Sequence, residues 1–262
     1  MESLSPFGAG RYQLSHVGWS TYFTLRSSLM AVAFALPLVL VMGLKAFADL
    51  WIQSSLSAYY HAGDGATRDF FVGGLIAVAM MLVVYKGFSG FENWALNIAA
   101  IALAVVALVP DDRSTLLSDR LPWLHGAAAV SFFACLVYVA FFRSGDTLGL
   151  LPHPRDQRTL RTFYRWLSYA MAGFVLAAVS VAWVNRSESL IFVLETAGVW
   201  AFAAYWYFKT VEMRESGADA LAGRQLLRRP GGYTLGDAFR PLPVRLTDVS
   251  PERPHRDGGG AS

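Results

Sequence analysis

The chain contains six long runs of apolar residues separated by short polar segments. Each run is continuous rather than alternating and has close to the ~20 residues that a helix needs to cross a bilayer core. Because lipid offers no hydrogen-bond partners, each backbone group must be satisfied within its own helix. The pattern predicts an all-α polytopic membrane protein, a six-helix transmembrane bundle with spans at 28–44, 69–85, 91–109, 121–142, 163–184 and 189–208.

The polar segments at the two ends of the chain divide it into three parts. Residues 1–27 lack the apolar stretch of a cleavable signal peptide, so we expect a cytoplasmic N-terminal segment ahead of the six-span domain at 28–209. Residues 210–262 are rich in Arg, Pro and Gly and show no apolar periodicity. This composition predicts a largely disordered, basic cytoplasmic tail.

Composition supports a membrane protein and excludes several other classes. Of 262 residues, 55% are hydrophobic and 16% charged, against about 25% charged in soluble domains. A cytosolic enzyme, a secreted enzyme and a disordered chain are therefore excluded. The single cysteine, Cys135, excludes an intrachain disulfide and a thiolate metal cage.

The distribution of Lys and Arg predicts the orientation of the spans. Seventeen of these residues fall on the side of the two termini and five on the other side. Because positive residues favour the cytoplasmic face, both termini are predicted to be cytoplasmic, in a multi-pass protein of the cell membrane, of the bacterial inner-membrane type. Positive residues on this side would lie next to anionic lipid headgroups. The basic net charge is therefore explained with membrane lipids as partners, and no nucleic acid is expected. The basic stretch 158–165 is interpreted as a cytoplasmic loop, with an interfacial amphipathic helix as the alternative.

Polar residues from four separate elements fall at a similar depth near the predicted outer face. Glu195 lies roughly 10 Å down the sixth span at 1.5 Å per residue, and His125 about one turn inside the fourth. We expect these groups to meet in a polar pocket because polar side chains within a membrane domain are costly. The candidates for ligand binding are Tyr59, Tyr60, Arg68 and Asp111.

A metal-dependent hydrolase is one chemistry that such a pocket could carry. Ser57 and His61 are four residues apart and would share a helix face. His61 and His125, with a carboxylate, could hold Zn²⁺ and leave an open position for water. The candidate catalytic residues are then Ser57, Asp69 and Glu195.

Two other functions remain open for the same residues. Glu195 could be the buried acid of a transporter, or the polar groups could pair internally in a structural subunit of a membrane complex. At the cytoplasmic side, Glu92 is interpreted as a solvated carboxylate at a helix N-terminus and Lys209 as a side chain that reaches the headgroups.

Several motifs resemble those of known membrane proteins. Ser55-Leu-Ser-Ala-Tyr-Tyr60, Arg68-Asp-Phe-Phe-Val-Gly73 and Tyr85-Lys-Gly87 resemble a group of uncharacterised bacterial six-span membrane proteins, as does the stretch 195–209. The layout is more distantly similar to the DRAM/Sfk type. The Ser57/His61 element is also similar to that of the alkaline ceramidases, membrane zinc hydrolases that cleave lipid amides, and this resemblance implies zinc. In that superfamily the late span carries His residues, whereas here it carries Glu195.

The sequence as a whole predicts an integral membrane protein with a polar pocket near its outer face that binds a lipid or a small ligand. A hydrolase of the alkaline-ceramidase type, and a transporter or structural subunit, are the alternatives.

Overall fold

A computed structural model describes residues 6–48, 52–62, 65–112, 114–184, 188–224, 226–228 and 234–247. Within these ranges, six helices are long and apolar enough to cross a membrane, which confirms the predicted all-α bundle. The helices are α1 (Pro6–Ala48), α2 (Ala66–Val84), α3 (Gly90–Leu108), α4 (Leu116–Arg120), α5 (Leu124–Tyr138), α6 (Pro154–Val184), α7 (Glu188–Ser216) and α8 (Ala218–Gly223). All but α4 and α8 contribute a span.

Several helices extend beyond the apolar runs that predicted them. Helix α6 begins at Pro154, a residue suited to the first helical turn, so 158–165 is part of a continuous helix and not a loop. Helix α1 begins at Pro6, within the predicted N-terminal segment 1–27. Hydropathy marks only the part of a helix that faces lipid, and the polar turns at its ends escape it.

Residues 210–224, 226–228 and 234–247 have a defined structure. This corrects the expectation that the chain is largely disordered from residue 210 onward. Helix α7 continues to Ser216, and Gly217, with φ of 61°, makes the turn into α8. Strands β1 (Leu227–Arg228) and β2 (Arg245–Leu246) then pair antiparallel. The last part of the predicted tail, 248–262, lies outside the described residues.

The spans pack around a core of aliphatic, alanine and aromatic side chains. Helix α7 lies against α1 and α6, and α3 lies against α2 and α5. Leu82, Leu96 and Met171 are fully buried in this core. Helix α6 is peripheral, because Leu176, on its second half, is 66% exposed on the surface that lipid would cover.

The bundle has two ends, which we name by what they carry. The loop end carries the segment 52–62, the connection 109–123 and the ends of α6 and α7 that meet there. The tail end carries the connections 85–89 and 139–153 and the segment 217–247.

The start of α3 at the tail end is fixed by two hydrogen bonds between side chains and backbone of the turn around its first residues. The Ser89 hydroxyl accepts a hydrogen bond from Glu92 N at 3.2 Å, and Glu92 Oε2 accepts one from Phe88 N at 2.8 Å. Glu92 is only 3% exposed, so it is not the solvated carboxylate that we expected. The fold of this turn brings Gly87 against the Glu92 carboxyl group, where a Cβ atom would clash.

Candidate functional site

A cavity of about 520 Å³ lies at the loop end, enclosed by α5, α6, α7 and the two loops beside them. Its polar lining comes from Ser54, Ser55, Ser57, Asp111, His125 and Glu195. The rest of its wall is apolar and includes Phe133, Phe174, Val175 and Ala178. The cavity therefore has one polar end, at the loops, and a long apolar side.

A chain of hydroxyl groups in the segment 52–62 forms part of the polar end. The Ser55 hydroxyl accepts a hydrogen bond from Ala58 N at 3.0 Å, which holds the short helical turn Ser57–Tyr60. Ser55 and Ser57 contact each other through their hydroxyls at 2.9 Å. Ser57 in turn donates to Asp111 Oδ2 at 3.1 Å, so this chain ties the first loop to the end of α3.

Glu195 joins this loop to α7. Its Oε2 accepts a hydrogen bond from Leu56 N at 2.7 Å, and the side chain is half-buried at the border of the cavity. Among the described residues, no Lys, Arg or His side chain forms an ion pair with Glu195 or Asp111. The polar end of the cavity thus carries two carboxyl groups that no described cation neutralises.

His125 projects from the first turn of α5 and is 9% exposed. Its Nδ1 lies 2.6 Å from the carbonyl oxygen of Val109. Because a carbonyl can only accept, Nδ1 carries the proton in this contact, and a neutral ring then has its lone pair on Nε2. In the described part of the chain Nε2 has no hydrogen-bond partner, and the side chain lines the cavity.

A narrower chamber of about 100 Å³ continues from the cavity into the bundle. Ser57, His125, Phe133 and Glu195 line both spaces. The deeper walls of the chamber are apolar, and they include Leu75, Leu103 and Phe202. The described residues therefore form no polar path from Glu195 toward the tail end, which does not favour the transporter alternative.

The tyrosines and His61 of the predicted site do not line the cavity. Tyr59 is fully buried and packs against Phe192 with ring centroids 6.0 Å apart, and burial raises the pKa of its phenol. Tyr60 meets the ring of His61 edge-on at 4.8 Å. His61 Nε2 lies 3.2 Å from Asp112 Oδ1 on the outer surface.

The pair of Asp112 and His61 is exposed to water and lies outside the cavity. Slight burial would raise the pKa of Asp112, but hydrogen bonds from Ser114 and the adjacent His61 hold it below its usual range. The side chains of His61 and Asp112 are 39% and 47% exposed, so water screens their interaction.

Arg68 and Asp69 lie in the first turn of α2 and are exposed. Arg68 Nε is 3.6 Å from Asp69 Oδ1, so the two side chains pair with each other. Neither lines the cavity. Of the residues predicted for the site, the structure thus brings together Ser57, Asp111, His125 and Glu195, and leaves Asp69, Arg68, His61 and the two tyrosines outside.

The predicted zinc ligands do not form a ligand set in the structure. No group of three or more His, Cys, Asp or Glu side chains in the described ranges is placed to hold a metal ion. His61 contacts Asp112, and His125 Nδ1 donates a hydrogen bond to a backbone carbonyl. Zinc stays a prediction from the resemblance, and no step below depends on it.

A second buried polar cluster, at the tail end, was not predicted. Lys209 Nζ lies 3.1 Å from Glu212 Oε2 and 2.8 Å from the Thr147 hydroxyl, and both charged side chains are at most 2% exposed. Arg143 Nη1 is 3.7 Å from Asp146 Oδ2, again with both side chains buried. The prediction that Lys209 reaches the headgroups is therefore wrong. The spacing of three residues in both pairs is the signal that could have revealed them.

The tail-end cluster also holds the segment after α7 on the bundle. Arg26, buried on α1, pairs with Asp219 of α8. Asp146 Oδ1 accepts a hydrogen bond from Leu242 N at 2.7 Å, and the Asp146 carbonyl accepts one from Val244 N at 2.9 Å. Arg143 donates to the carbonyl oxygen of Arg240. These bonds explain why a Pro- and Gly-rich stretch has a defined structure.

No protein-family model, no curated protein and no solved structure matches the chain. The resemblance to six-span membrane proteins is therefore a prediction that these comparisons leave untested.

Proposed function

We propose that this integral membrane protein binds a lipid or a small amphiphile in the cavity at the loop end, with that end facing the outside of the cell. The observation that carries the proposal is the shape and chemistry of the cavity. Its polar groups stand at the loops, and its apolar wall runs along α5, α6 and α7. An amphiphile in a membrane has the same arrangement, with its headgroup at the interface and its chain in the hydrocarbon layer.

The position of the cavity also suits entry from the bilayer. Val130 on α5 and Val179 on α6 both line it and are 43% and 47% exposed. Half-exposed apolar side chains on both walls are expected where a cavity opens sideways between two helices. A ligand with an acyl chain can then enter without leaving the apolar phase, so that no apolar surface is transferred to water.

The volume limits the size of the occupant. A space of about 520 Å³ falls in the range of sites for small molecules, about 300–1,000 Å³. A single-chain amphiphile, or one chain and the headgroup of a larger lipid, would fill it.

Photolabelling tests the proposal directly. The purified protein in lipid nanodiscs is irradiated with a diazirine derivative of dodecanol, and labelled residues are mapped by mass spectrometry. We expect label on Phe133, Phe174 and Val175, and we expect unlabelled dodecanol to compete with it. The competition separates a saturable cavity from general contact with lipid.

Two neighbouring alanines on α6 provide a matched pair of variants. Ala178 lines the cavity and Ala177 does not. Ala178→Trp should fill the apolar side and abolish the competable label, while Ala177→Trp, with the same added ring, should retain it. Label spread evenly over the exposed helix surfaces, or equal loss in both variants, would rule out a binding cavity.

A further inference from the structure

The hydroxyl chain at the polar end of the cavity presents acceptors rather than donors. The Asp111 carboxylate can only accept, so Ser57 must give its single hydroxyl proton to it in the 3.1 Å contact. Ser55 is then the donor to Ser57 across 2.9 Å. Both hydroxyl protons are used in hydrogen bonds between these residues, and one lone pair on each serine oxygen remains to accept another.

Two further groups at the same end also lack a donor. Glu195 uses Oε2 to accept from Leu56 N, and in the described part of the chain Oε1 has no partner. His125 has its proton on Nδ1, directed at Val109, and its unpartnered Nε2 is an acceptor. The side chain of His125 is nine-tenths buried and lines the cavity, so the cavity is the side from which a donor would approach this nitrogen. The hydroxyl of Ser54 is the adjustable group among the polar lining residues.

The charge of the polar end, like its hydrogen bonding, favours an occupant that carries a cationic donor. Asp111 and Glu195 both border the cavity, and no cation in the described residues pairs with either. Glu195 is half-buried and Asp111 is exposed, so an occupant that displaces water from these two carboxylates must offer a cation or several donors in its place. At the tail end of the same bundle, the protein supplies such cations itself from Arg26, Arg143 and Lys209.

We infer that the occupant of the cavity carries a protonated primary amine in its headgroup, which rests on the proposed function of the same site. A primary ammonium group brings one positive charge and three N–H donors, one for each of the acceptors that Asp111, Glu195 and His125 contribute to the polar end. A quaternary ammonium group has the charge without donors, an alcohol has one donor without the charge, and a carboxylate has the wrong charge. The site should rank these headgroups in favour of the amine.

Competition between single-chain probes of equal length tests this inference. Dodecylamine, dodecyltrimethylammonium, dodecanol and dodecanoate are each titrated against the diazirine dodecanol probe on the full-length protein in nanodiscs of a neutral lipid. Because a hydrogen bond to a charged group contributes about 1.5–3 kcal/mol, dodecylamine should compete at about tenfold lower concentration than the others. Dodecanoate should compete worst.

Two variants identify the groups that recognise the amine. Glu195→Gln and Asp111→Asn keep the shape of the side chain and a carbonyl acceptor but remove the charge. Each should reduce the advantage of dodecylamine over dodecanol about tenfold, and retained labelling by the dodecanol probe shows that the cavity is still folded. Asp112→Asn is the matched control, because this neighbouring carboxylate faces His61 outside the cavity and should leave the ranking unchanged.

The outcomes separate this inference from the proposed function. Competable dodecanol labelling with equal competition by dodecylamine and dodecyltrimethylammonium, or no effect of Glu195→Gln and Asp111→Asn, would overturn the amine headgroup and leave the binding cavity in place. Absence of competable labelling in the wild-type protein would overturn both.

Discussion

The two ends of the bundle differ in how their charged side chains are paired. At the tail end, Arg143 and Lys209 each have a carboxylate partner three residues away in the chain. At the loop end, Glu195 and Asp111 have no partner cation among the described residues and border an open space of about 520 Å³. At one end buried cations and carboxylates lie against each other, and at the other end two carboxylates border an open cavity with no cation partner among the described residues.

The difference separates a structural use of polar groups from a functional one. Buried charged pairs hold elements together, as Arg143 and Asp146 hold residues 240–242 through hydrogen bonds to Arg240 O and Leu242 N. Polar groups that remain unmatched in a cavity are costly to the fold, and such groups are typical of binding sites.

Removing the cation of the buried Lys209–Glu212 pair should have the largest effect on the comparison. Lys209→Met leaves Glu212 buried without its cation, so the free energy of unfolding should fall by about 3–5 kcal/mol. The measurement is denaturant unfolding in detergent micelles. Arg214→Met, on the exposed face of the same helix, should change it by less than about 0.5 kcal/mol. Similar values for the two variants would mean that the tail-end cluster does not stabilise the bundle.

Breaking the contact between the tail segment and the bundle should have the next largest effect. Arg143→Met removes the donors to the carbonyls of Asp237 and Arg240 and also leaves Asp146 buried without its cation, so the segment that both residues bind is held less firmly. Trypsin should then cut after Arg245 at least tenfold faster. Arg155→Met, exposed at the start of α6, is the control. Unchanged cleavage in Arg143→Met would show that the segment is held by other contacts.

A methyl group at the turn before α3 should have a moderate effect. In Gly87→Ala the new Cβ atom clashes with the Glu92 carboxyl group, which must move away from Phe88 N, at a cost of about 1–3 kcal/mol. Gly90→Ala, where a Cβ atom has nothing within 4 Å, provides the control for the same connection. Thermal unfolding of both proteins measures the difference, and a Gly90→Ala protein as unstable as Gly87→Ala would contradict the role of this close approach.

The surface pair at the loop end should have the smallest effect, and it depends on pH. The pKa of Asp112 is lowered in the folded protein, so its contribution is present above the unfolded value and is lost as the pH falls through the folded one, below about pH 4. Because the carboxylate is 47% exposed, we expect less than about 1 kcal/mol. Stability of Asp112→Asn and wild-type protein between pH 3 and 6 tests this, and a larger difference would mean that the pair is structural.

The sequence predicted the spans because their physical cause is local. A run of about 20 apolar residues must be helical in lipid whatever surrounds it, and all six runs became helices. The sequence did not predict the polar turns of α1, α6 and α7, nor the ordered part of the segment from residue 210. Those stretches are stabilised by partners far away in the chain, such as Asp219 for Arg26.

The candidate site was predicted in the same partial way. Depth in the membrane follows from the distance along a helix, and of the residues predicted to meet, Glu195, His125, Ser57 and Asp111 line one cavity. Rotation about the helix axis and the path of a loop do not follow from depth. For this reason Asp69 and Arg68, at similar depth, face away from the cavity and pair with each other.

The sequence by itself therefore determined the number of spans, their approximate limits and the level at which polar groups lie, since each depends on hydropathy and helical rise alone. Only the tertiary structure decided which of those groups share a cavity, and which buried charges neutralise each other. Pairing depends on the relative rotation and packing of helices, which are set by contacts such as Leu56 N to Glu195 between residues 139 positions apart.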